Sequence, residues 1–259
     1  MLYLKANGSD AMAIATFSFF SKSLGKTTDF KIYLPANRIK NQPVLFLLHG
    51  LGDNQNSWLY NSSLVRYASQ YPFVIVMPDV GKSYYTNTAY GEHYWDYLTE
   101  DLPEYLTTWL NLSLTKQNTF VAGLSMGGYG AFKWALNYPD RIGAAASLSG
   151  RLDISSTWND RTAEFEQVFG DRESFTKSHN NLLNLVADRR ATQLPLFQLI
   201  GTDDKLLESN RTFRTFARQY LDKLDYREQT GQHDWNFWDT YLPVCLQWLD
   251  EQFHLINNH

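Results

Sequence analysis

Ser125 has the clearest chemical signature in this sequence. It lies in Gly123-Leu124-Ser125-Met126-Gly127-Gly128, directly after the β-forming run Thr119–Ala122 and within a pattern that becomes helical over Gly127–Tyr138. A sharp strand-to-helix turn leaves a serine oxygen exposed at the sheet edge, and flanking glycines avoid collisions between strand and helix. The helix also directs its positive N-terminal end toward the serine, which favours an oxyanion. The pattern therefore predicts that Ser125 is a nucleophile in acyl transfer.

A second segment, His49-Gly50-Leu51-Gly52-Asp53, follows the apolar run Val44–Leu48. Acyl transfer needs two backbone N–H donors aimed at the developing negative oxygen, and the loss of one donor costs about 10²–10³ in rate. We expect one donor at Met126, the residue after the serine, and the other at Leu51 in this glycine-bearing loop. His49 precedes the serine in the chain, and we interpret its ring as ordering the loop rather than as a base.

The general base is expected after Ser125, because serine enzymes built on this type of turn carry the serine, the acid and the histidine in that order. His233 lies in a glycine-containing loop before a C-terminal helical pattern, where a base carried beyond the last strand belongs. His254 and His259 are poorer candidates for the base, because they lie at the terminus, where chains are usually loosely held. His179 is also a poorer candidate, because it lies in the polar insertion. The sequence therefore predicts that His233 is the base.

The acid is expected at the end of the buried strand before that histidine. The run Leu196–Ile200 leads into Gly201-Thr202-Asp203-Asp204-Lys205, and only one of the two adjacent carboxylates can point at His233. The acid holds the imidazole in one tautomer and stabilises the imidazolium. The Gly-x-x-Asp spacing favours Asp204. Asp203 stays the alternative, and with Asp204 as the acid it would cap or solvate the following helix.

The elements that must position these residues alternate along the chain. Five runs are apolar at nearly every position, which indicates strands buried on both faces of a parallel sheet. They are Val44–Leu48, Phe73–Met77, Thr119–Ala122, Ala144–Leu148 and Leu196–Ile200, with Asp225–Glu228 as a further strand. Helical patterns between them cover Tyr97–Leu112, Gly127–Tyr138 and Asn210–Leu224, and Ala13–Phe20 and Thr28–Leu34 form an antiparallel edge pair. The order predicts a mostly parallel α/β sheet flanked by helices.

Residues 151–193 interrupt this alternation between the fourth and fifth apolar runs. The stretch holds polar, helical segments such as Arg161–Phe169 and His179–Val186, and no convincing strand. One interpretation is a surface insertion. The other is a cap over the pocket, since insertions at the carboxyl ends of strands lie beside the ligand crevice. In both cases residues 1–259 form a single domain.

Composition limits the remaining classes of function. The 259 residues are 44% hydrophobic and 19% charged, which indicates a folded chain, and the net charge of -4 gives no reason to expect nucleic acid as a partner. No run is long enough to anchor the chain in a membrane and no signal peptide is visible, so a cytoplasmic location is expected. Cys245 is the single cysteine, and we interpret it as a buried structural thiol. Neither a metal nor an organic cofactor is expected.

Aromatic residues make up 15% of the chain. One aromatic-rich loop could line the pocket or pack over the sheet; it contains Tyr84, Tyr85, Tyr90, His93, Tyr94 and Trp95. The aromatic content is also compatible with a self-associating surface, so the sequence allows the protein to form a homo-oligomer.

Taken together, the sequence resembles the esterase D and feruloyl-esterase-like branch of the α/β-hydrolases, from about residue 17 to 248. The resemblance rests on the segments His49-Gly50-Leu51-Gly52-Asp53-Asn54, Gly123–Ala131, Gly201-Thr202-Asp203-Asp204 and Gly231-Gln232-His233-Asp234-Trp235, with Trp58 and Trp238 and the Glu100–Pro103 helix. It is most similar to the small bacterial tributyrin esterases, which act on short-chain acyl and aryl esters. The resemblance implies an α/β-hydrolase fold, a triad of Ser125, Asp204 and His233, and oxyanion donors at Leu51 and Met126.

The function implied is a carboxylesterase that acts on small-molecule esters with acetyl to butyryl chains through a Ser-His-Asp acyl-enzyme. Acyl transfer to another acceptor uses the same triad and stays an alternative. The same branch also contains cinnamoyl and acetyl-sugar esterases and S-formylglutathione hydrolases. A non-catalytic binding module would predict a broken triad, which this sequence does not have.

Overall fold

The computed structural model describes residues 12–188 and 193–258, which form an eight-stranded sheet with helices on both faces. The strands are β1 (Ala13–Ser21), β2 (Lys26–Leu34), β3 (Val44–Leu48), β4 (Val74–Pro78), β5 (Thr119–Leu124), β6 (Ala144–Leu148), β7 (Leu196–Gly201) and β8 (Leu224–Gln229). Their order is β1-β2-β4-β3-β5-β6-β7-β8. The pairs β1–β2 and β2–β4 are antiparallel and all others are parallel, so β3 to β8 end at one edge.

The central strands form where the sequence is apolar at successive positions. Every residue of β3 to β7 is buried, as expected for strands covered on both faces. In β3 the side chains alternate, so that Phe46 packs into one core and Leu45 into the other. β1 has exposed and partly buried positions in alternation, which fits its place at the edge of the sheet.

Two helical layers cover these cores. The helices are α1 (Ser57–Asn61), α2 (Leu64–Ala68), α3 (Tyr94–Asp96), α4 (Leu102–Trp109), α5 (Met126–Asn137), α6 (Thr162–Phe169), α7 (Arg172–Lys177), α8 (Leu182–Asp188), α9 (Leu207–Ala217) and α10 (Trp235–Asn257). Helices α4, α5 and α9 contribute to one core, and α1, α2 and α10 to the other. In residues 12–188 and 193–258 no helix has the length and apolarity needed to cross a membrane.

Two predicted helices differ from the observed ones at both ends. The helix expected over Tyr97–Leu112 begins at Tyr94, contains a π-helical turn over Tyr97–Asp101 and ends at Trp109. The one expected over Asn210–Leu224 covers Leu207–Ala217. It cannot extend to Leu224, because that residue opens β8 and pairs with Leu196 of β7.

The segment expected as a helix over His179–Val186 also begins later. Asn181 accepts a hydrogen bond at its Oδ1 from the N–H of Leu183 at 3.2 Å, so helix α8 begins at Leu182 and His179 lies before it. A polar side chain that satisfies an N–H of the first turn marks the start of a helix. The sequence analysis also missed α7, whose Asp171 accepts from the N–H of Ser174 in the same way.

The segment from residue 151 to 188 packs firmly on the sheet domain. Its aromatic side chains Trp158, Phe165, Phe169 and Phe175 contact one another, and Phe165 and Phe169 contact Tyr84. Two hydrogen bonds reinforce the packing: the N–H of Ala89 donates to the carbonyl of Val168 at 2.9 Å, and the hydroxyl of Tyr129 donates to the carbonyl of Asn180 at 2.6 Å. Residues 189–192 of the predicted insertion lie outside the described residues.

Cys245 is buried on α10 and allows a direct test of how this helix packs on the sheet. The side chain is fully buried, and burial raises the pKa of its thiol to about 12, so that the thiolate is scarce at pH 8. We expect no reaction of the native protein with Ellman's reagent at pH 8 and one thiol per chain after denaturation in guanidinium, since Cys245 is the only cysteine. Rapid reaction without denaturant would contradict the burial.

Candidate active site

Three side chains meet at the carboxyl edge of the sheet, each carried beyond a different strand. Ser125 follows β5, Asp204 follows β7 and His233 follows β8. The Oγ of Ser125 lies 2.9 Å from Nε2 of His233, and Nδ1 of that ring lies 2.8 Å from Oδ2 of Asp204. Such a chain of hydrogen bonds can pass the serine proton to the imidazole while the carboxylate holds the ring in its Nδ1–H tautomer.

The turn at Ser125 has a strained backbone. Its φ of 52° and ψ of -112° are rare for a residue with a side chain and cost on the order of 1–3 kcal/mol. Three backbone hydrogen bonds hold it: the N–H of Ser125 donates to the carbonyl of Leu148 at 2.9 Å, and its carbonyl accepts from the N–H groups of Tyr129 and Arg151, each at 3.2 Å. The end of β6 therefore helps to fix the position of Ser125.

Gly127 allows the first turn of α5 to lie against the end of β3. A Cβ at this position would lie 2.4 Å from the carbonyl oxygen of Leu48 and 2.7 Å from that of His49. Backbone atoms cannot yield as a flexible side chain can, so only glycine fits here. The turn that carries Ser125 and the loop that follows β3 are thereby held together.

Two backbone amides beside Ser125, those of Leu51 and Met126, are candidates for binding a ligand oxygen. The N–H of Leu51 makes no hydrogen bond to another residue of the described ranges, and Leu51 lines the same cavity as Ser125. Met126 is the first residue of α5, so its N–H lacks an acceptor in a preceding helical turn. A Cβ at Gly50 would lie 3.8 Å from the Cβ of Ser125, which shows how closely this loop passes the serine.

His49 is occupied on both ring nitrogens. Nδ1 lies 2.8 Å from the carbonyl oxygen of Gly50, and Nε2 accepts from the N–H of Val80 at 3.2 Å, so the donor of this neutral ring is Nδ1–H. The carbonyl of His49 accepts a hydrogen bond from the hydroxyl of Tyr85 at 2.8 Å. The ring is buried and orders the loop, in agreement with the interpretation from sequence.

The two adjacent aspartates have different surroundings. The side chain of Asp204 is fully buried, and its Oδ1 accepts from the N–H of Leu206 at 2.8 Å while Oδ2 faces His233. Asp203 is exposed, and its carboxylate accepts a hydrogen bond from the hydroxyl of Thr202 at 3.2 Å. Of the two roles expected for Asp203, to cap or to solvate the next helix, capping is not observed, because α9 begins after Leu206 without a side-chain cap.

Tryptophan side chains pack beside His233. The ring of Trp238 meets His233 edge to face at a centroid distance of 5.1 Å, and Trp235 packs between Trp238 and Trp58. The indole N–H of Trp58 donates to the carbonyl of Leu48 at 3.1 Å. The histidine loop and the end of β3 are therefore connected through three large rings, which restrict the imidazole to one orientation.

A cavity of about 160 Å³ opens above Ser125. Its lining residues are Gly50, Leu51, Asp53, Tyr84, Leu124, Ser125, Arg151, Arg161, Lys205, His233 and Trp238. Burial raises the pKa of Tyr84 to about 12, so this phenol is neutral at physiological pH. Of the aromatic-rich loop, Tyr84 lines the cavity, whereas Tyr85 is buried against Gly130 and the His49 carbonyl.

The sequence analysis missed the three cations that line this cavity. Arg151 comes shortly after β6, at the sheet edge where the other site residues gather, and that position was an available signal. Lys205 directly follows the acid and carried the same signal. Arg161 reaches the cavity from the start of α6, and no pattern in the sequence predicts how that segment folds back.

The buried and exposed aspartates form a matched pair for a test. We expect Asp204→Asn to slow covalent labelling of Ser125 by a fluorophosphonate by about 10⁴-fold, because the imidazole loses the acceptor that fixes its tautomer. Asp203→Asn removes the same charge one residue away and should label at the wild-type rate. Labelling that depends on Asp203 and not on Asp204 would contradict this geometry.

Comparison with known proteins gives the family. Residues 21–249 match the model of the Esterase family, described as "Putative esterase". The chain is 27% identical to an acetyl esterase of Caldicellulosiruptor saccharolyticus over 93% of its own length and 99% of that protein, and 26% identical to an S-formylglutathione hydrolase of Paracoccus denitrificans over 90% and 91%. The solved structure of FphF, a fluorophosphonate-binding serine hydrolase of Staphylococcus aureus, superposes with a TM-score of 0.83 at 26% identity, covering 92% of this chain and 98% of that one. With a family match over most of its length, the protein belongs to the Esterase family and has the α/β-hydrolase fold.

Proposed function

We propose that this carboxylesterase hydrolyses esters of short-chain acids through an acyl-enzyme on Ser125, with His233 as general base and Asp204 as its carboxylate partner. The observation that carries the proposal is the unbroken chain of hydrogen bonds, 2.9 Å from Ser125 to His233 and 2.8 Å from His233 to Asp204. The distances lie within the range of a nucleophile poised beside its base.

In the first half of the reaction, Oγ of Ser125 attacks the ester carbonyl and its proton passes to Nε2 of His233. The carbon–oxygen bond to the alcohol then breaks, and the imidazolium returns the proton to the departing alcohol. Water enters, loses a proton to His233 and attacks the acyl-serine. The bond between the acyl carbon and Oγ of Ser125 then breaks, the imidazolium of His233 returns its proton to Oγ, and the acid leaves.

The Leu51 and Met126 amides are proposed as the oxyanion donors. In each tetrahedral intermediate the carbonyl oxygen carries a negative charge, which preorganised N–H groups stabilise without reorganisation. The free N–H of Leu51 and the helix-terminal N–H of Met126 support this assignment. The side chain at position 51 does not take part, so a leucine serves as well as any residue.

The size of the cavity supports a short acyl chain. Its volume of about 160 Å³ is well below the roughly 300–1,000 Å³ of sites that bury drug-sized ligands. Tyr84 and Trp238 restrict the cavity with rigid rings. An acetyl to butyryl group fits such a volume better than a cinnamoyl group does.

We also propose that residues 151–193 form a fixed cap within a single domain of residues 1–259. The support comes from Arg161, which lines the cavity from α6, and from the aromatic packing of Phe165 and Phe169 on Tyr84. A segment held by a continuous apolar cluster forms a wall of the pocket rather than a mobile lid. The cytoplasmic location and self-association stay predictions from the sequence.

A series of p-nitrophenyl esters tests the proposal. We expect the highest kcat/KM for acetate to butyrate and a decrease of at least about tenfold for octanoate, because the longer chain exceeds the cavity. Ser125→Ala should reduce kcat for all of them by about 10⁶-fold, the loss known for removal of a triad serine. Activity that survives Ser125→Ala, or a preference for octanoate or cinnamate, would overturn the corresponding part of the proposal.

A further inference from the structure

Arg151 is a buried cation with unused hydrogen-bonding capacity. Its side chain is 7% exposed, and its Nη1 is buried without a hydrogen-bond partner among the described residues. A guanidinium carries five N–H donors, and a buried donor that has no acceptor loses its hydration without compensation. We therefore expect a bound ligand to supply the missing hydrogen-bond acceptor.

The neighbouring acids do not meet this need. The nearest carboxylate oxygen is Oδ2 of Asp160, 3.6 Å from Nη1, which is beyond hydrogen-bond distance, and Asp160 is 61% exposed. Glu164 pairs with Arg161 through Oε2 at 2.8 Å, and its buried Oε1 makes no hydrogen bond to Arg151 or to any other described residue. The face of Phe165 lies 5.9 Å from the guanidinium carbon of Arg151 and offers no hydrogen-bond acceptor oxygen.

The position of Arg151 places this cation next to the nucleophile. Its backbone N–H donates to the carbonyl of Ser125 at 3.2 Å, and the preceding carbonyl of Gly150 accepts from the side chain of Asn210 at 2.9 Å. Asn210 is itself held by Gln198 of β7 at 2.9 Å. The backbone of Arg151 is therefore fixed relative to Ser125 by buried hydrogen bonds.

The cavity as a whole has an excess of positive charge. Arg151, Arg161 and Lys205 line it, against the single carboxylate of Asp53. A pocket that binds only an apolar acyl chain does not need three cations. In a small cavity the electric field of these cations is concentrated on the bound ligand. A carboxylate suits this surrounding, since guanidinium groups bind it through short, charge-assisted hydrogen bonds.

We propose that this esterase prefers esters that carry a second, free carboxylate, which Arg151 binds with help from Arg161. The inference rests on the proposed hydrolysis at Ser125 and narrows its substrate class. The carboxylate belongs either to the acyl group, as in a half-ester of a small dicarboxylic acid, or to the alcohol group. In both cases the ester carbonyl sits at Ser125 and the carboxylate at Arg151.

Two matched substrate pairs distinguish these sources. Monoethyl succinate is compared with ethyl 4-methylpentanoate, its neutral analogue of similar shape, and 4-acetoxybenzoate is compared with its methyl ester. The readout is the ratio of kcat/KM for the anionic ester to that for the neutral ester in one preparation, measured by proton release. The fraction of folded enzyme cancels in this ratio, so a variant that folds poorly still gives a valid result.

We expect Arg151→Met, which keeps the packing of the aliphatic stem, to lower the ratio by about 10- to 100-fold in one pair. Arg161→Met should lower it less, because that guanidinium already pairs with Glu164. Arg218→Met is the control: it removes the same charge from an exposed site at the end of α9, outside the cavity lining, and should keep the wild-type ratio. The affected pair identifies the side of the ester that carries the carboxylate.

Unchanged ratios in both pairs for Arg151→Met would overturn the inference. The proposed function is judged separately, from labelling of wild-type Ser125 by a fluorophosphonate and from hydrolysis of the neutral esters. If these persist while the ratios stay constant, the enzyme is an esterase without an anion subsite. If both are absent, the proposed function fails and the carboxylate preference fails with it.

Discussion

The backbone contact between Gly127 and the end of β3 is the constraint on which the site depends. A side chain at position 127 would reach within 2.4 Å of the carbonyl oxygen of Leu48, so the helix can start here only with glycine. This contact holds the start of α5 beside the loop that carries Leu51. It also forces the chain to reverse sharply at Ser125, whose positive φ stores the strain of that turn. Ser125, the proposed nucleophile, and both candidate oxyanion donors are thus positioned by one approach of two backbones.

The remaining groups reach the same edge because parallel strands end there. Asp204 and His233 follow β7 and β8, the strands on one side of Ser125, while the His49 loop follows β3 on the other. Each is held by internal contacts: Asp204 by the N–H of Leu206, and His233 by the ring of Trp238. The geometry of the proposed triad therefore depends on buried hydrogen bonds and ring packing rather than on exposed ion pairs.

The family and the central strands could be predicted from the sequence because their determinants are local. A strand that is apolar at every position indicates burial on both faces, and a Gly-x-Ser-x-Gly turn between a strand and a helix has few other uses. That Leu224 belongs to a strand and not to α9 could not be predicted, because its pairing with Leu196 joins residues far apart in the chain. Arg161 was missed for the same reason, since it reaches the cavity only through the folding of the segment that begins at residue 151.

Direct observation of the acyl-enzyme tests the central claim most closely. The protein is mixed with p-nitrophenyl butyrate, quenched in acid within the first turnover, and digested for peptide mass spectrometry. We expect a burst of nitrophenol and one butyryl group on the peptide that carries Ser125, both absent from Ser125→Ala. Turnover without a modified peptide, or with the acyl group on another residue, would contradict it.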